Sequence, residues 1–122
     1  MPGFEKSSPE IVARFAELTG VAPDAVRKPM FGYPALFMNG NLFFSLFEDS
    51  AILRMPEADR SEFGDRFRLE IFEPMAGRPM REYVVIPSQL FASDEVEQWV
   101  ERAAAYARTL PPKQPRAKRP TR

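Results

Sequence analysis

Acidic side chains are the main candidates for catalysis, because the 122-residue chain contains neither histidine nor cysteine. Without these two residue types, acids, bases and nucleophiles can come only from Asp, Glu, Lys, Tyr and Ser. Asp59 and Glu62 lie three residues apart on a predicted short helix, with Asp65 three residues further on, and this spacing can bring two carboxylates together. A solvent-exposed helix face produces the same spacing, and we favour that interpretation. The sequence therefore predicts that the protein is not an enzyme and has no catalytic residues.

Motifs for phosphate, nucleotide or metal binding are absent from the sequence. Gly32, Gly40, Gly64 and Gly77 lie too far apart to form a phosphate-binding loop. The acidic residues are not grouped as in a calcium-binding loop. We therefore expect neither a metal nor a cofactor.

Two arginines in a Pro- and Gly-rich loop are candidate anion contacts. Arg78 and Arg81 lie beside Met80 in the stretch from 73 to 81. Two guanidinium groups at an apolar loop can hold a carboxylate or a phosphate. They can also pair with Glu73 and Glu82 on the adjoining segments, and we favour this pairing because surface ion pairs are common.

The C-terminal tail carries a charge opposite to that of the rest of the chain. Residues 1–110 contain 12 Lys and Arg against 17 Asp and Glu, whereas residues 111–122 contain five cations and no acid. A flexible basic segment attracts nucleic-acid phosphates, with an affinity that falls as salt rises. No aromatic residue is interleaved for base stacking, so sequence-specific recognition is not expected. The candidate nucleic-acid contacts are Lys113, Arg116, Lys118, Arg119 and Arg122.

The apolar stretch from Lys28 to Phe47 predicts a β-hairpin around Asn39-Gly40. Asn-Gly between apolar runs favours a two-residue type I′ turn, which needs positive φ at both central residues. This turn sets Leu36 opposite Phe43. Alternation along the strands then predicts a core face. That face carries Tyr33, Ala35, Phe37, Leu42, Phe44 and Leu46.

The opposite face of the same hairpin is a candidate interface. It includes Leu36, Met38, Phe43 and Phe47, and it is more apolar than a solvated face requires. An exposed apolar face of this kind predicts a homodimer or a protein partner. The alternative is that loops or helices of the same chain cover it. Pro34 also predicts that its strand lies at a sheet edge or contains a bulge, for which Gly32 is suited.

The remaining elements predict an α+β fold of two layers. A first helix begins at Ser7 or Ser8, and a last helix begins at Ser93 and ends before Pro111-Pro112. Between them, further strands are predicted over residues 51–55, 68–72 and 81–86, with a short helix over residues 56–63 that Gly64 ends. Adjacent strands favour an antiparallel sheet of about five strands with the N- and C-terminal helices on one face. We expect residues 1–110 to form the domain and residues 111–122 to form a disordered, Pro-rich basic tail.

Eight residues of the hairpin stretch form an ordered pattern: Lys28, Met30, Phe31, Gly32, Phe37, Asn39, Gly40 and Phe43. The pattern resembles the signature of the TfoX N-terminal domain family, and the stretch from Phe72 to Pro87 is similar to that family as well. The resemblance covers about residues 8–113, and it implies a two-layer α+β fold of the secretion-chaperone-like kind. It implies no catalytic residue, and we expect the signature residues to be structural, with Met30, Phe31 and Phe37 in the core.

These observations together favour a small, non-enzymatic regulatory or protein-interaction domain. The TfoX and Sxy proteins that the family is named for regulate natural competence. The alternative function is that of a weak, non-specific nucleic-acid-binding accessory protein that uses the basic tail. No apolar run approaches the roughly 18 residues of a membrane helix, and the N-terminus has no signal-peptide pattern. We therefore expect a cytoplasmic protein with no membrane contact.

Overall fold

Each strand of the sheet pairs antiparallel with the next strand along the chain. The computed structural model describes residues 5–112. The sheet order is β1-β2-β3-β4-β5, so no crossover connection is needed. The strands are β1 Val26–Met30, β2 Tyr33–Met38, β3 Asn41–Phe47, β4 Ser50–Arg54 and β5 Tyr83–Ile86. The helices are α1 Pro9–Leu18, α2 Glu57–Arg66, α3 Ser88–Phe91 and α4 Val96–Thr109, with a 3₁₀ turn at Thr19–Val21.

The main core lies between the sheet and the terminal helices. α4 packs on β3 and β4, and Phe15 of α1 contacts Phe44 of β3 with ring centroids 4.5 Å apart. Trp99 of α4 is fully buried, and its ring meets that of Phe63 from α2 edge-on at 5.1 Å. The predicted α+β fold, with helices packed on an antiparallel sheet, is confirmed.

The first helix begins where the sequence predicts. Ser8 has extended backbone angles, and its hydroxyl accepts a hydrogen bond from the backbone N–H of Ile11 at 3.4 Å. Pro9 then occupies the first turn, where its missing N–H loses no helical bond. The backbone N–H of Ser8 also donates to Asp49 at 2.7 Å. This contact fixes the start of α1 against the turn between β3 and β4.

The turn between β2 and β3 is the predicted one. Asn39 and Gly40 both have positive φ, at 54° and 78°, as a type I′ turn requires. Met38 lies opposite Asn41 and Phe37 lies opposite Leu42, as the sequence predicts.

Beyond these two pairs the predicted register is wrong, because a β-bulge interrupts the ladder. Leu36 pairs with Phe44 rather than with Phe43. The bulge adds one unpaired residue to β3, and such a residue shifts the alternation of side chains by one position. Phe43 and Phe44 are both buried in the core cluster as a result.

A second tight turn precedes the predicted hairpin, so Lys28 belongs to a separate strand. Phe31 and Gly32 have φ of 55° and 83° and connect β1 to β2, with Met30 opposite Tyr33. Gly32 therefore forms a turn and not the predicted bulge.

Of the two alternatives predicted for the Pro34 strand, the edge position is wrong, because β2 lies between β1 and β3, whereas a bulge does interrupt its pairing with β3. Pro34 lies opposite Pro29 of β1. In an antiparallel pair, hydrogen-bonded and non-hydrogen-bonded positions alternate, starting with a bonded pair at a two-residue turn. The two prolines therefore occupy a non-bonded position, where neither removes a bond between β1 and β2.

The structure also differs from the predictions at other elements. α2 continues past Gly64 to Arg66. The predicted strand at residues 68–72 is reduced to an isolated bridge between Ile71 and Val84. The last helix begins at Val96, and the hydroxyl of Ser93 donates to the carbonyl of Leu90 at 2.9 Å instead of capping α4.

Candidate functional site

The hairpin residues predicted to form an exposed interface are mostly buried. Leu36, Met38 and Phe43 have only 2%, 5% and 0% of their surface exposed and belong to the core cluster. The prediction of an exposed interface at these three positions is wrong, because the bulge and the helices place them inside the domain. Phe47 is half-buried on the other side of the sheet.

We use the term second face for the side of the sheet that α1 and α4 do not cover. The ring of Phe47 lies on this face between the rings of Tyr33 and Phe72, with centroid distances of 5.4 and 5.1 Å. Phe72 belongs to the segment between α2 and β5, so that segment folds over part of the second face. A shallow apolar recess remains beside it. The side chains that line this recess include Met30, Phe31, Leu42, Phe47, Phe72 and Met80.

A small hairpin-like loop holds one wall of the recess. The backbone N–H of Met80 donates to the carbonyl of Phe72 at 2.8 Å, and Met75 forms a bridge with Arg78 at the tip. The carboxylate of Glu73 accepts a hydrogen bond from the backbone N–H of Gly77 at 2.6 Å. These bonds place Phe72 and Met80 side by side and leave Met75 61% exposed at the tip of the loop.

Phe31 also lines the recess, and it combines exposure with an unfavourable backbone. It occupies the first position of the β1–β2 turn with φ of 55°, and 55% of its surface is exposed. Positive φ brings Cβ close to the backbone in all residues except Gly, and Asn or Asp tolerate it best. A phenylalanine at this position is therefore strained without being buried.

The predicted ion pairs of Arg78 and Arg81 are wrong. Glu82 pairs instead with Arg54, whose Nε lies 2.7 Å from Oε1 of Glu82. Glu73 is bonded to the backbone of Gly77. Within residues 5–112, no side-chain bond or ion pair reaches either Arg78 or Arg81, and both side chains are exposed. Arg78 and Arg81 therefore have no ion-pair partner among these residues, and both lie within two residues of Met80, which lines the recess.

A protein-family model, the TfoX N-terminal domain, matches residues 16–107 of the chain. The chain belongs to the TfoX N-terminal domain family. No curated protein and no solved structure matches it.

Some signature residues of this TfoX N-terminal domain are buried or form turns, and others lie at the surface. Phe37 and Phe43 are buried, and Asn39, Gly40 and Gly32 form the two turns.

The first part of the signature lies at the recess. Lys28 lies above the ring of Phe37 with Nζ 4.8 Å from the centroid, and Met30 is partly buried in the recess wall. The prediction that Met30 and Phe31 belong to the core is therefore wrong for Phe31. A Phe-Gly pair before a second apolar run was the available signal for a tight turn, although Phe is unusual there.

Two of the three carboxylates considered for catalysis pair with an arginine of α4. Arg102 lies 3.0 Å from Glu62 and 3.7 Å from Asp59. The hydrogen bond from Arg102 holds the pKa of Glu62 below its usual value. Asp65 is exposed on the same helix.

A more buried polar cluster connects β4, β5 and α4. Glu82 accepts hydrogen bonds from Arg54 at 2.7 Å and from the hydroxyl of Tyr106 at 2.9 Å. Burial raises the pKa of Glu82, but these two bonds outweigh burial, and the pKa lies below its ordinary value of 4.5. Burial, followed by the bond to Glu82, raises the pKa of Tyr106, which therefore remains a donor at neutral pH. Tyr83 donates in turn to the carbonyl of Leu42 at 3.0 Å.

Replacing Glu82 with glutamine is expected to destabilise the domain at neutral pH but not in acid. A carboxyl group whose pKa is lowered by folding stabilises the folded state above its unfolded pKa, and this contribution is lost as pH falls through the folded pKa. Because the side chain is partly exposed, we expect a loss of about 1 kcal/mol at pH 7. Urea unfolding of both proteins at several pH values measures it. A difference that stays constant from pH 7 to pH 3 would contradict this prediction.

The remaining predictions concern the basic tail, membrane-spanning helices and metal sites. Lys113, Arg116, Lys118, Arg119 and Arg122 lie outside residues 5–112, so tail-mediated nucleic-acid binding stays a prediction. Among the described residues, no helix is both long and apolar enough to cross a membrane. In the same part of the chain, no three His, Cys, Asp or Glu side chains are grouped so that they could hold a metal ion.

Proposed function

We propose that this TfoX N-terminal domain is a non-enzymatic protein-interaction module that binds its partner on the second face, around Phe31. The observation that supports this proposal is the strained and exposed aromatic side chain at the rim of an apolar recess. The resemblance to competence regulators suggests that the domain regulates the protein it binds.

The backbone at Phe31 favours a functional interpretation over a structural one. Positive φ costs a non-glycine L-residue about 1–2 kcal/mol, and Asn or Gly would relieve that strain in the same turn. A buried aromatic ring could offset this cost through the hydrophobic effect, but more than half of Phe31 stays in water. Strained residues that are not explained by packing are concentrated at binding and catalytic sites.

The shape of the recess indicates how a partner would bind. Its free volume is only about 20 Å³, which is room for about one water molecule. A partner therefore packs across the recess and covers Phe31, rather than inserting a large side chain. Aromatic residues enclosed in this way are frequent energetic centres of protein interfaces.

The carboxylates argue against the catalytic alternative. General acids at neutral pH need a raised pKa, which usually comes from burial away from cations. Asp59 and Glu62 lie beside Arg102, and the pKa of Glu62 is shifted in the opposite direction. Glu82 is also held ionised by its two donors.

A peptide-display selection tests the proposal and does not require the partner to be identified. A library of random 16-residue peptides is selected on the wild-type protein, and each enriched peptide is then measured on the Phe31→Asn variant. Val26→Thr is the matched control, because Val26 is 58% exposed on the same strand pair but does not line the recess. We expect a set of peptides that bind the Phe31→Asn variant about tenfold or more weakly than the wild type. The same peptides should bind the Val26→Thr variant with the wild-type affinity. Enriched peptides that bind all three proteins equally would overturn the proposal.

A further inference from the structure

We infer, on the basis of the proposed function, that the partner segment is acidic: an apolar side chain covers Phe31 and flanking carboxylates bind Arg78 and Arg81. Arg78 and Arg81 have no ion-pair partner among the described residues, and they lie within two residues of Met80 in the wall of the apolar recess.

The two arginines are placed for an external anion. Met80 lines the recess, and Arg81 follows it directly while Arg78 lies two residues before it. Met80 is fixed by its hydrogen bond to Phe72, so the arginines extend from an anchored part of the loop. A guanidinium group can donate two parallel hydrogen bonds to one carboxylate, which gives both strength and orientation.

Glu73 and Glu82, the two acidic residues that the sequence offers as local partners, are already engaged, so they do not compete for these arginines. Glu82 accepts from Arg54 and Tyr106, and Glu73 accepts from the backbone of Gly77. Lys28 adds a third cation to the second face, above the ring of Phe37. Arg78 and Arg81 therefore remain available to a partner.

This basic rim contrasts with the charge of the rest of the domain. Residues 5–112 contain 12 Lys and Arg but 17 Asp and Glu. An acidic partner is repelled by most of the surface and attracted to the rim of the recess. Such complementarity selects the docking face and raises the association rate.

A second copy of this chain and a nucleic acid fit the site less well than an acidic peptide does. In a two-fold dimer an interface patch meets its own copy, so Arg78 and Arg81 would need free carboxylates within that patch, whereas Glu73 and Glu82 are already engaged. A nucleic acid could use the two arginines, but its phosphates gain nothing from the apolar recess. An acidic peptide with an apolar anchor matches both parts of the site.

The selected peptides and a double variant test this inference. Among peptides whose binding requires Phe31, we expect an excess of Asp and Glu on both sides of an aromatic or aliphatic residue. One such peptide is synthesised with its acids intact and with each acid replaced by the corresponding amide. We expect the Arg78→Gln/Arg81→Gln variant to bind the acidic peptide about tenfold more weakly and the amide peptide equally well. Arg68→Gln is the matched control, because Arg68 is also exposed but does not flank Met80.

The outcomes separate this inference from the proposed function. Two results would refute the acidic character of the partner and leave the proposed interaction module intact. One is a set of peptides that require Phe31 but contain no excess of Asp and Glu. The other is an acidic peptide that binds the Arg78→Gln/Arg81→Gln variant as tightly as the wild type. Enriched peptides that are all independent of Phe31 would overturn both. A single-stranded oligonucleotide that binds more tightly than the acidic peptide and competes with it would show that the partner is a nucleic acid and not an acidic peptide. Self-association of the wild type that the Phe31→Asn substitution abolishes would show that the partner is a second copy of this chain.

Discussion

Replacing Phe43 with alanine is expected to lower the free energy of unfolding by about 3–5 kcal/mol, as for other large buried aromatic residues. Phe43 is completely buried and belongs to the cluster between the sheet and the helices. Its removal leaves a cavity next to the β-bulge, where the close-packed sheet can collapse only partly. Urea unfolding followed by the fluorescence of Trp99 measures the change, and the dependence on urea concentration should stay the same.

Phe31→Ala provides the control for this large effect. Its side chain is 55% exposed, so its removal should change the free energy of unfolding by less than about 1 kcal/mol. A Phe43→Ala variant that is as stable as the wild type but has lost self-association would show that Phe43 is an interface residue. That result would contradict the complete burial of its side chain.

Replacing Phe31 with asparagine is expected to weaken partner binding by about tenfold or more while leaving the domain at least as stable. Asn tolerates the positive φ of the first turn position, so the substitution relieves strain. It also removes the partial burial of the ring in the recess, and the two effects leave a net gain of about 0.5 kcal/mol. Thermal unfolding would then shift upward by about 2–4 °C for a domain of this size. Titration with the selected peptides measures the loss of binding.

The comparison of two substitutions separates backbone strain from side-chain contact. Phe31→Ala removes the same ring but keeps a residue that is disfavoured at positive φ. We therefore expect both variants to bind weakly, and Phe31→Asn to be the more stable of the two. If Phe31→Asn is less stable than the wild type, packing within the domain explains why Phe31 is present, and the main support for the proposed function is lost.

The sequence alone determined the features that depend on local chemistry. Asn39-Gly40 specified a type I′ turn because few other residue pairs accept positive φ twice in succession. Ser8 and Pro9 specified the start of α1 because of the unpaired N–H groups of its first turn. The run of adjacent strands between two terminal helices specified the fold class. The ordered signature from Lys28 to Phe43 was sufficient to indicate the TfoX N-terminal domain family, which the family match confirms.

The tertiary structure decided which hairpin residues are buried. Phe43 and Phe44 are chemically identical neighbours, so the pattern of alternation could not reveal which of them is the unpaired residue of a bulge. The helices that cover Leu36 and Met38 come from both ends of the chain, and the hairpin sequence contains no information about their position. Phe31 was likewise expected in the core because its side chain is apolar, whereas the turn at Gly32 leaves that side chain exposed.

The tertiary structure also decided which charges are free. Arg81 and Glu82 are sequence neighbours, and local pairing was the simplest expectation for Arg78 and Arg81. The actual partners of Glu82 are Arg54 from β4 and Tyr106 from α4, which are distant in sequence and adjacent only after folding. Long-range packing therefore satisfied the acid and left the arginines available at the recess. This is why the candidate site could be recognised only in the folded structure.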